Sequence, residues 1–178
     1  LNAEGAAPVK DAVGEILAIG DRAQLTGAIA GLHTAIANPF FSVGVQADLM
    51  NSDINALYIS QSGLTMGDRD YYLDPENENI RTAYKEYLGK LFRLAGIPEA
   101  DIEKAVAGVM NIETKLAEKS WSNTELRDIP AQYNPTAKAE FEKTYDAIDW
   151  PAYYKAMGIG DFDTIIVTTK SSIANAND

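Results

Sequence analysis

The residues of this chain that could do chemistry are few and widely spaced. His33 is the one histidine, there is no cysteine, and no His-Glu-x-x-His occurs among the 178 residues. A zinc hydrolase of the usual kind binds its metal through more than one imidazole or thiolate. A histidine-rich metal centre therefore cannot be assembled from this chain alone. His33 lies beside Leu32 in the apolar half of a predicted helix, and the preferred reading is a half-buried histidine with one hydrogen bond. The carboxylate pairs Glu76/Glu78 and Glu99/Asp101 fall in the first turns of predicted helices, where the positive end of the helix dipole accounts for them. A glycosidase dyad would need two carboxyls held across a cleft. No serine sits in a Gly-x-Ser-x-Gly elbow, and the glycine-rich turn at 63–67 lacks the Lys-Ser/Thr of a phosphate loop.

The densest cluster is Gly67-Asp68-Arg69-Asp70-Tyr71-Tyr72-Leu73. A guanidinium between two aspartates and ahead of two aromatics can fork to a carboxylate or to carbonyls, with the rings buried beside it. Arg69 could instead receive a substrate carboxylate. A flanking aspartate already offers it a partner, which favours a bracing role.

Composition narrows the partners. Acidic residues outnumber basic ones 26 to 15, for a net charge of −11. Such a surface repels phosphate backbones and anionic headgroups, and no Lys/Arg cluster interrupts it, so no nucleic-acid partner is expected. Apolar residues make up 46%, enough for a packed core. No apolar run approaches the roughly 20 residues that span a bilayer. The chain starts at Leu1 without a basic, apolar leader and ends on a polar tail, which reads as a piece of a longer protein.

The elements that would position these residues are mainly helical. Val9, Val13, Ile16 and Leu17 share one helical face, with Pro8 suited to the first position and Gly20 to the stop. Asp21 caps a second helix with Gln24 as in a capping box, and Leu25, Ile29, Leu32 and Ile36 form its stripe. The period then changes: Phe41, Val43, Val45 and Ala47 alternate with polar or small residues, and 56–60 alternates again after a polar loop. These read as an antiparallel hairpin, with 165–169 (IIVTT) a candidate third strand. Asp74-Pro75-Glu76 starts a helix carrying Ile80, Tyr84, Tyr87, Leu88, Leu91 and Leu94 up to Gly96. Pro98 opens another, lined by Ile102, Val106, Val109, Ile112 and Leu116. Asn134-Pro135 starts a helix with Ala137, Phe141 and Tyr145, and Asp149 caps a last one through Trp150 and Tyr154 to Gly158. The expectation is a single mainly α unit over 1–178, a multi-helix domain with a small antiparallel β-hairpin.

The run FSVGVQADLMNSDINALYISQSGLTMGDRDYYL, at 41–73, resembles the amino-terminal region of the neprilysin and endothelin-converting-enzyme family of zinc metallopeptidases. In that family a hairpin with a polar Asn-Ser loop leads into Gln-x-Gly-Leu and then Arg-Asp-Tyr-Tyr. Gln61, Gly63 and Leu64, then Arg69, Asp70, Tyr71 and Tyr72, stand at those places. Ile112-Glu113 with Leu116-Ala117, Tyr133-Asn134 with Thr136, and Asp149-Trp150 with Tyr153 extend the match. The resemblance implies a larger protein with two mainly helical domains around a cavity. Zinc and the catalytic residues would lie in the carboxy-terminal domain of the same chain, and this region would restrict entry of peptide substrates. No catalytic or metal-binding residue carries over to this segment, and its substrate contacts stay unassigned. The family motif is read as structural, and the absence of cysteine points to an exported bacterial member. Two other readings stand beside this one: a non-enzymatic helical binding module without a zinc site, and a small acid–base hydrolase using local carboxylates.

Overall fold

The chain is described by a computed structural model over residues 7–35 and 37–178, so the expectation placed on Ile36 lies outside the described residues. The described residues are mainly α, 57% helical, with eight helices and a four-stranded mixed sheet.

Helix α1 (Ala7–Leu17) forms where the periodicity placed it. Its apolar face is not buried: Val9, Ile16 and Leu17 are exposed. Helix α2 (Arg22–Thr34) is capped by Asp21, whose side chain accepts from the Gln24 amide at 2.8 Å. Gln24 reaches back one residue further than a capping box does, accepting from the Gly20 amide at 2.7 Å. The buried face of α2 is Thr26, Ile29, Ala30 and His33, with Leu25 and Leu32 only partly covered. The expected stripe is thus rotated toward His33.

Strands β1 (Phe41–Ala47) and β2 (Asn55–Gln61) pair antiparallel from Phe41↔Gln61 to Ala47↔Asn55. The glycine-rich stretch after them contains a short helix, α3 (Asp70–Leu73), inside what reads locally as a turn. Asp74 caps as expected, accepting from the Glu76 amide. Pro75–Asn77 is a 3₁₀ turn, and the α-helix proper, α4 (Glu78–Leu94), begins after it. Tyr84 and Leu88 of α4 are buried, whereas Tyr87, Leu91 and Leu94 are exposed. In α5 (Glu99–Lys119), the expected lining residue Ile112 is exposed, and its neighbour Glu113 takes the inward position.

The carboxy-terminal third departs furthest from local pattern. Pro135–Ala137 is strand β3, not the start of a helix, and α6 (Lys138–Thr144) follows it. Its partner is β4 (Thr164–Val167), antiparallel, with Thr136↔Ile165 in register. Pro135 has no N–H to give, but an edge strand can spare one. Strand β4 also pairs parallel to β2, with Tyr58↔Ile166, so the sheet order is β1-β2-β4-β3. The hairpin is therefore half of a mixed sheet, and Thr168 and Thr169 lie beyond the third strand's end. Helix α7 (Trp150–Met157) is capped by Asp149 and stopped by Gly158 at φ 67°. Helix α8 (Lys170–Asn177) completes the described chain.

Two cores result. The larger sits between the sheet and α2, α6 and α7, where Phe41, Phe141, Trp150 and Tyr153 meet edge to face or tilted. The smaller lies among α3, α4 and α5 around Tyr72, Tyr84, Leu88, Met110 and Ala117.

Candidate functional site

The segment from Gln61 to Tyr72 connects the two cores, and the side chains of Gln61, Thr65, Asp68, Arg69 and Tyr72 each have a definite partner. Gln61 ends β2 and continues the strand chemistry with its side chain. Its Nε2 donates to the Trp121 carbonyl at 2.9 Å while its Oε1 accepts from the Trp121 amide at 2.8 Å. That reciprocal pair imitates one rung of a β-ladder and ties the sheet to the end of α5. Gly63 holds φ at 90°, and a Cβ there would lie 2.8 Å from the Phe40 amide nitrogen, so this passage admits only glycine. Leu64 packs on the smaller core beside Tyr72.

Of the two kinds of partner the sequence left open to Arg69, it takes a carbonyl and not a neighbouring aspartate. Its guanidinium donates to the Ser120 carbonyl at 2.8 Å, satisfying an acceptor left over at the end of α5. Asp68 instead accepts from the Asp70 and Asn123 amides at 3.1 Å each, fixing the turn on both sides. Asp70 opens α3, and its carbonyl accepts from the Asn77 side chain. The two tyrosines part company: Tyr72 is buried, while Tyr71 is 38% exposed and takes part through its backbone, its amide donating to the Asp68 carbonyl and its carbonyl accepting from Arg81.

The residue that organises this junction is Glu113, read from sequence only as part of a family pattern. It is buried at 7% exposure and accepts from three hydroxyls: Thr65 at 2.6 Å, Tyr72 at 2.8 Å and Tyr84 at 3.1 Å. A carboxylate has only acceptor sites, and three O–H donors match it. Burial pushes the Tyr72 hydroxyl well above the usual phenol range, partly offset by the Met66 amide and reinforced by Glu113. The Tyr84 hydroxyl is pushed up to about 12, again chiefly by burial. Both phenols therefore remain donors throughout the physiological range. The spacing from Val106 through Val109 and Met110 to Glu113 and Ala117 was the available signal that Glu113 faces inward. Such a group can brace three elements. It has no open face for a substrate.

His33 is far from this junction. Its Nδ1 lies 2.6 Å from the Tyr153 hydroxyl, and its ring meets Phe41 and Tyr153 edge to face. Nε2 is buried without a hydrogen-bond partner among the described residues. Burial lowers its pKa, opposed by backbone groups of Pro39 and Phe41. Among the described residues no group of three or more histidine, cysteine or acidic side chains is placed to hold a metal. No helix among them is long and apolar enough to cross a membrane.

The amino-terminal family model of Peptidase family M13 matches residues 1–178, the whole chain. The chain belongs to Peptidase family M13. Within M13, it is the amino-terminal region of a neprilysin-family peptidase. It is 33% identical to rat endothelin-converting enzyme 1 over 153 residues, covering 79% of this chain and 20% of that protein. Against the human enzyme, identity is 36% over 141 residues, covering 75% of this chain and 18% of the relative. This M13 chain thus spans about a fifth of the length of those relatives. Its fold is that of the Mycobacterium tuberculosis zinc metalloprotease Zmp1 in complex with an inhibitor, with a TM-score of 0.91 at 24% identity, covering 99% of this chain and 27% of that one. PepO from Lactobacillus rhamnosis shares the fold at a TM-score of 0.77 and 18% identity, over 97% of this chain and 28% of its own. The zinc that the M13 family implies does not fit this segment. Its one imidazole is held by Tyr153 among aromatic rings, and among the described residues no group of three or more histidine, cysteine or acidic side chains is placed to hold a metal.

Proposed function

We propose that this chain is the zinc-free, substrate-gating part of a zinc metalloendopeptidase that hydrolyses oligopeptides, and that by itself it is inactive. The observation that carries this reading is a contrast within one family member. A chain that matches a zinc-peptidase family from end to end commits its single histidine to Tyr153 in a hydrophobic core. Its chemistry must then come from the carboxy-terminal part of a longer chain, with peptides as substrates and zinc held there. The motif residues Gln61, Gly63, Leu64, Arg69, Asp70, Tyr71 and Tyr72 brace the gate in this reading. Gln61 and Arg69 clamp the hairpin exit to Trp121 and Ser120, and Tyr72 anchors on Glu113. A gate that must hold its shape beside a cavity needs such cross-links between its elements. The bacterial likenesses and the absence of cysteine support an exported bacterial parent.

The test is made on the full-length protein. It is expected to cleave short peptides, to lose that activity to a chelator and regain it with zinc, and to cleave folded proteins far more slowly than short peptides. The 178-residue chain alone is expected to show neither activity nor tight zinc binding. Chelator-insensitive cleavage by the full-length protein would sink the mechanism. Equal rates on short peptides and folded proteins would sink the gate.

A further inference from the structure

The two edges of the sheet are treated very differently. Strand β3, at one end of the order β1-β2-β4-β3, has three residues, opens with Pro135 and runs directly into Lys138. Short length, proline and lysine are the usual devices that keep an edge from recruiting another strand. Strand β1, at the other end, has none of them. Its seven residues, FSVGVQA, include no charge and no proline, and its register with β2 runs unbroken, without a bulge.

The free edge of β1 is also well defined. The Asp48 amide donates to the Ile54 carbonyl, one step beyond the Ala47↔Asn55 pair. In an antiparallel ladder hydrogen-bonded and open pairs alternate. Gln46, Gly44 and Ser42 therefore turn their amides and carbonyls toward β2. Val43, Val45 and Ala47 turn theirs outward. The opposite side of β2 obeys the same alternation, since the Ile59 carbonyl accepts from the Thr168 amide. Among the described residues no strand pairs with the outward groups of β1.

The surroundings of that edge are apolar. From Gly44 to Ala47 every residue is exposed, and Val45 is 63% exposed. The hairpin's far end adds exposed Leu49, Met50 and Ile54. In a chain of net charge −11, positions 41–61 carry only Asp48 and Asp53. Asp48 is already taken by the Tyr133 hydroxyl and the Met50 and Asn51 amides. A straight, uncharged, half-exposed edge of this length is an aggregation hazard unless something covers it.

We propose that in the full-length protein an extended segment from outside residues 1–178 pairs with β1 through the backbone groups of Val43, Val45 and Ala47. Leu49, Met50 and Ile54 pack against that same part of the chain. The proposal rests on the reading that this chain is one part of a longer M13 peptidase. Relatives about four times as long leave ample chain to supply the strand. A tethered segment also competes at an effective concentration on the order of millimolar, which a second copy of the protein does not reach in dilute solution.

The experiment is amide hydrogen–deuterium exchange at single-residue resolution on the full-length protein. The Val43, Val45 and Ala47 amides are expected to exchange at least about a hundredfold more slowly than their intrinsic rates, unchanged when the protein is diluted a hundredfold. Val45→Pro removes an outward donor and leaves the β2 ladder intact. It is expected to speed exchange at Val43 and Ala47 about tenfold or more. Intrinsic-rate exchange at all three amides in the unmodified protein overturns the proposal. Protection that disappears on dilution overturns it in favour of pairing between copies. If Val45→Pro does not fold, exchange in the unmodified protein decides. Chelator sensitivity is measured on the same preparation. Fast exchange with zinc-dependent cleavage refutes the strand alone, and protected amides with chelator-insensitive cleavage refute the peptidase reading while the pairing stands.

Discussion

The phenol of Tyr72 and the carboxylate of Glu113 meet at 2.8 Å, one from the four-residue helix α3 and the other from within the long helix α5. The same phenol oxygen accepts from the Met66 amide at 3.0 Å, and the same carboxylate accepts from Thr65 and Tyr84. One pair of side chains thus fixes the loop after the hairpin, the short helix and both long helices.

Removing either partner leaves the others unsatisfied. In Tyr72→Phe the Met66 amide and one Glu113 oxygen lose their partner, at an expected cost of about 1–3 kcal/mol. Glu113→Gln provides one acceptor oxygen where two are used, with a loss of similar size, and Glu113→Ala should cost about 3 kcal/mol or more. Thermal unfolding followed by circular dichroism measures each. A Tm unchanged in Glu113→Ala would remove Glu113 from the centre of this junction.

Gly63→Ala tests the passage between the cores. The added methyl would meet the Phe40 amide nitrogen at 2.8 Å and the Leu116 Cδ1 at 3.1 Å, on a backbone already at φ 90°. The expected loss is about 2–4 kcal/mol, read from the urea midpoint. Gly67→Ala, at the same φ with open space around it, should cost less.

Gln61→Glu tests the imitation ladder rung. Its remaining acceptor can still take the Trp121 amide, but the donor to the Trp121 carbonyl becomes a second oxygen facing that carbonyl. A destabilisation of about 1–3 kcal/mol is expected, against a smaller one for Gln61→Ala if repulsion dominates. Equal midpoints for Gln61→Glu and the unaltered chain would show that the side chain does not hold Trp121.

His33 predicts a pH dependence with a definite sign. Burial lowers its folded pKa below the ordinary 6.5, so below that value the unfolded chain takes up a proton that the folded chain does not. This contribution to stability is complete above pH 6.5 and declines as pH falls from there to the folded pKa, where it levels off. His33→Gln should flatten that part of a urea-midpoint profile. As the chain's single histidine, His33 also gives an unambiguous imidazole resonance whose titration midpoint should lie below 6.5.

The helices were legible because their start and stop signals are local. Asp21, Asp74 and Asp149 each cap through their own side chains within three residues, and Gly158 stops α7 at positive φ. The hairpin was legible for the same reason, since period-2 alternation on both sides of a polar loop needs no distant partner. Strand β3 was hidden because Asn134-Pro135 satisfies a helix start locally, and only β4, some thirty residues later, offers Thr136 a ladder. The exposed apolar face of α1 shows the converse: periodicity announces which residues share a face, and whether the fold buries that face is not written in the helix itself.

The sequence by itself determined the single histidine with no cysteine and no His-Glu-x-x-His, the mainly helical class and the family pattern around Arg69-Asp70-Tyr71-Tyr72. These depend on which residue types exist and on spacings within a few positions. Tertiary structure decided that Arg69 serves the Ser120 carbonyl and not a neighbouring aspartate, that Tyr72 is buried while Tyr71 is exposed, and that Glu113 is the shared acceptor. The physical reason is that a buried polar group must find its partner wherever packing brings one. Those partners lie 41 and 51 positions away in sequence, a separation that no local pattern encodes.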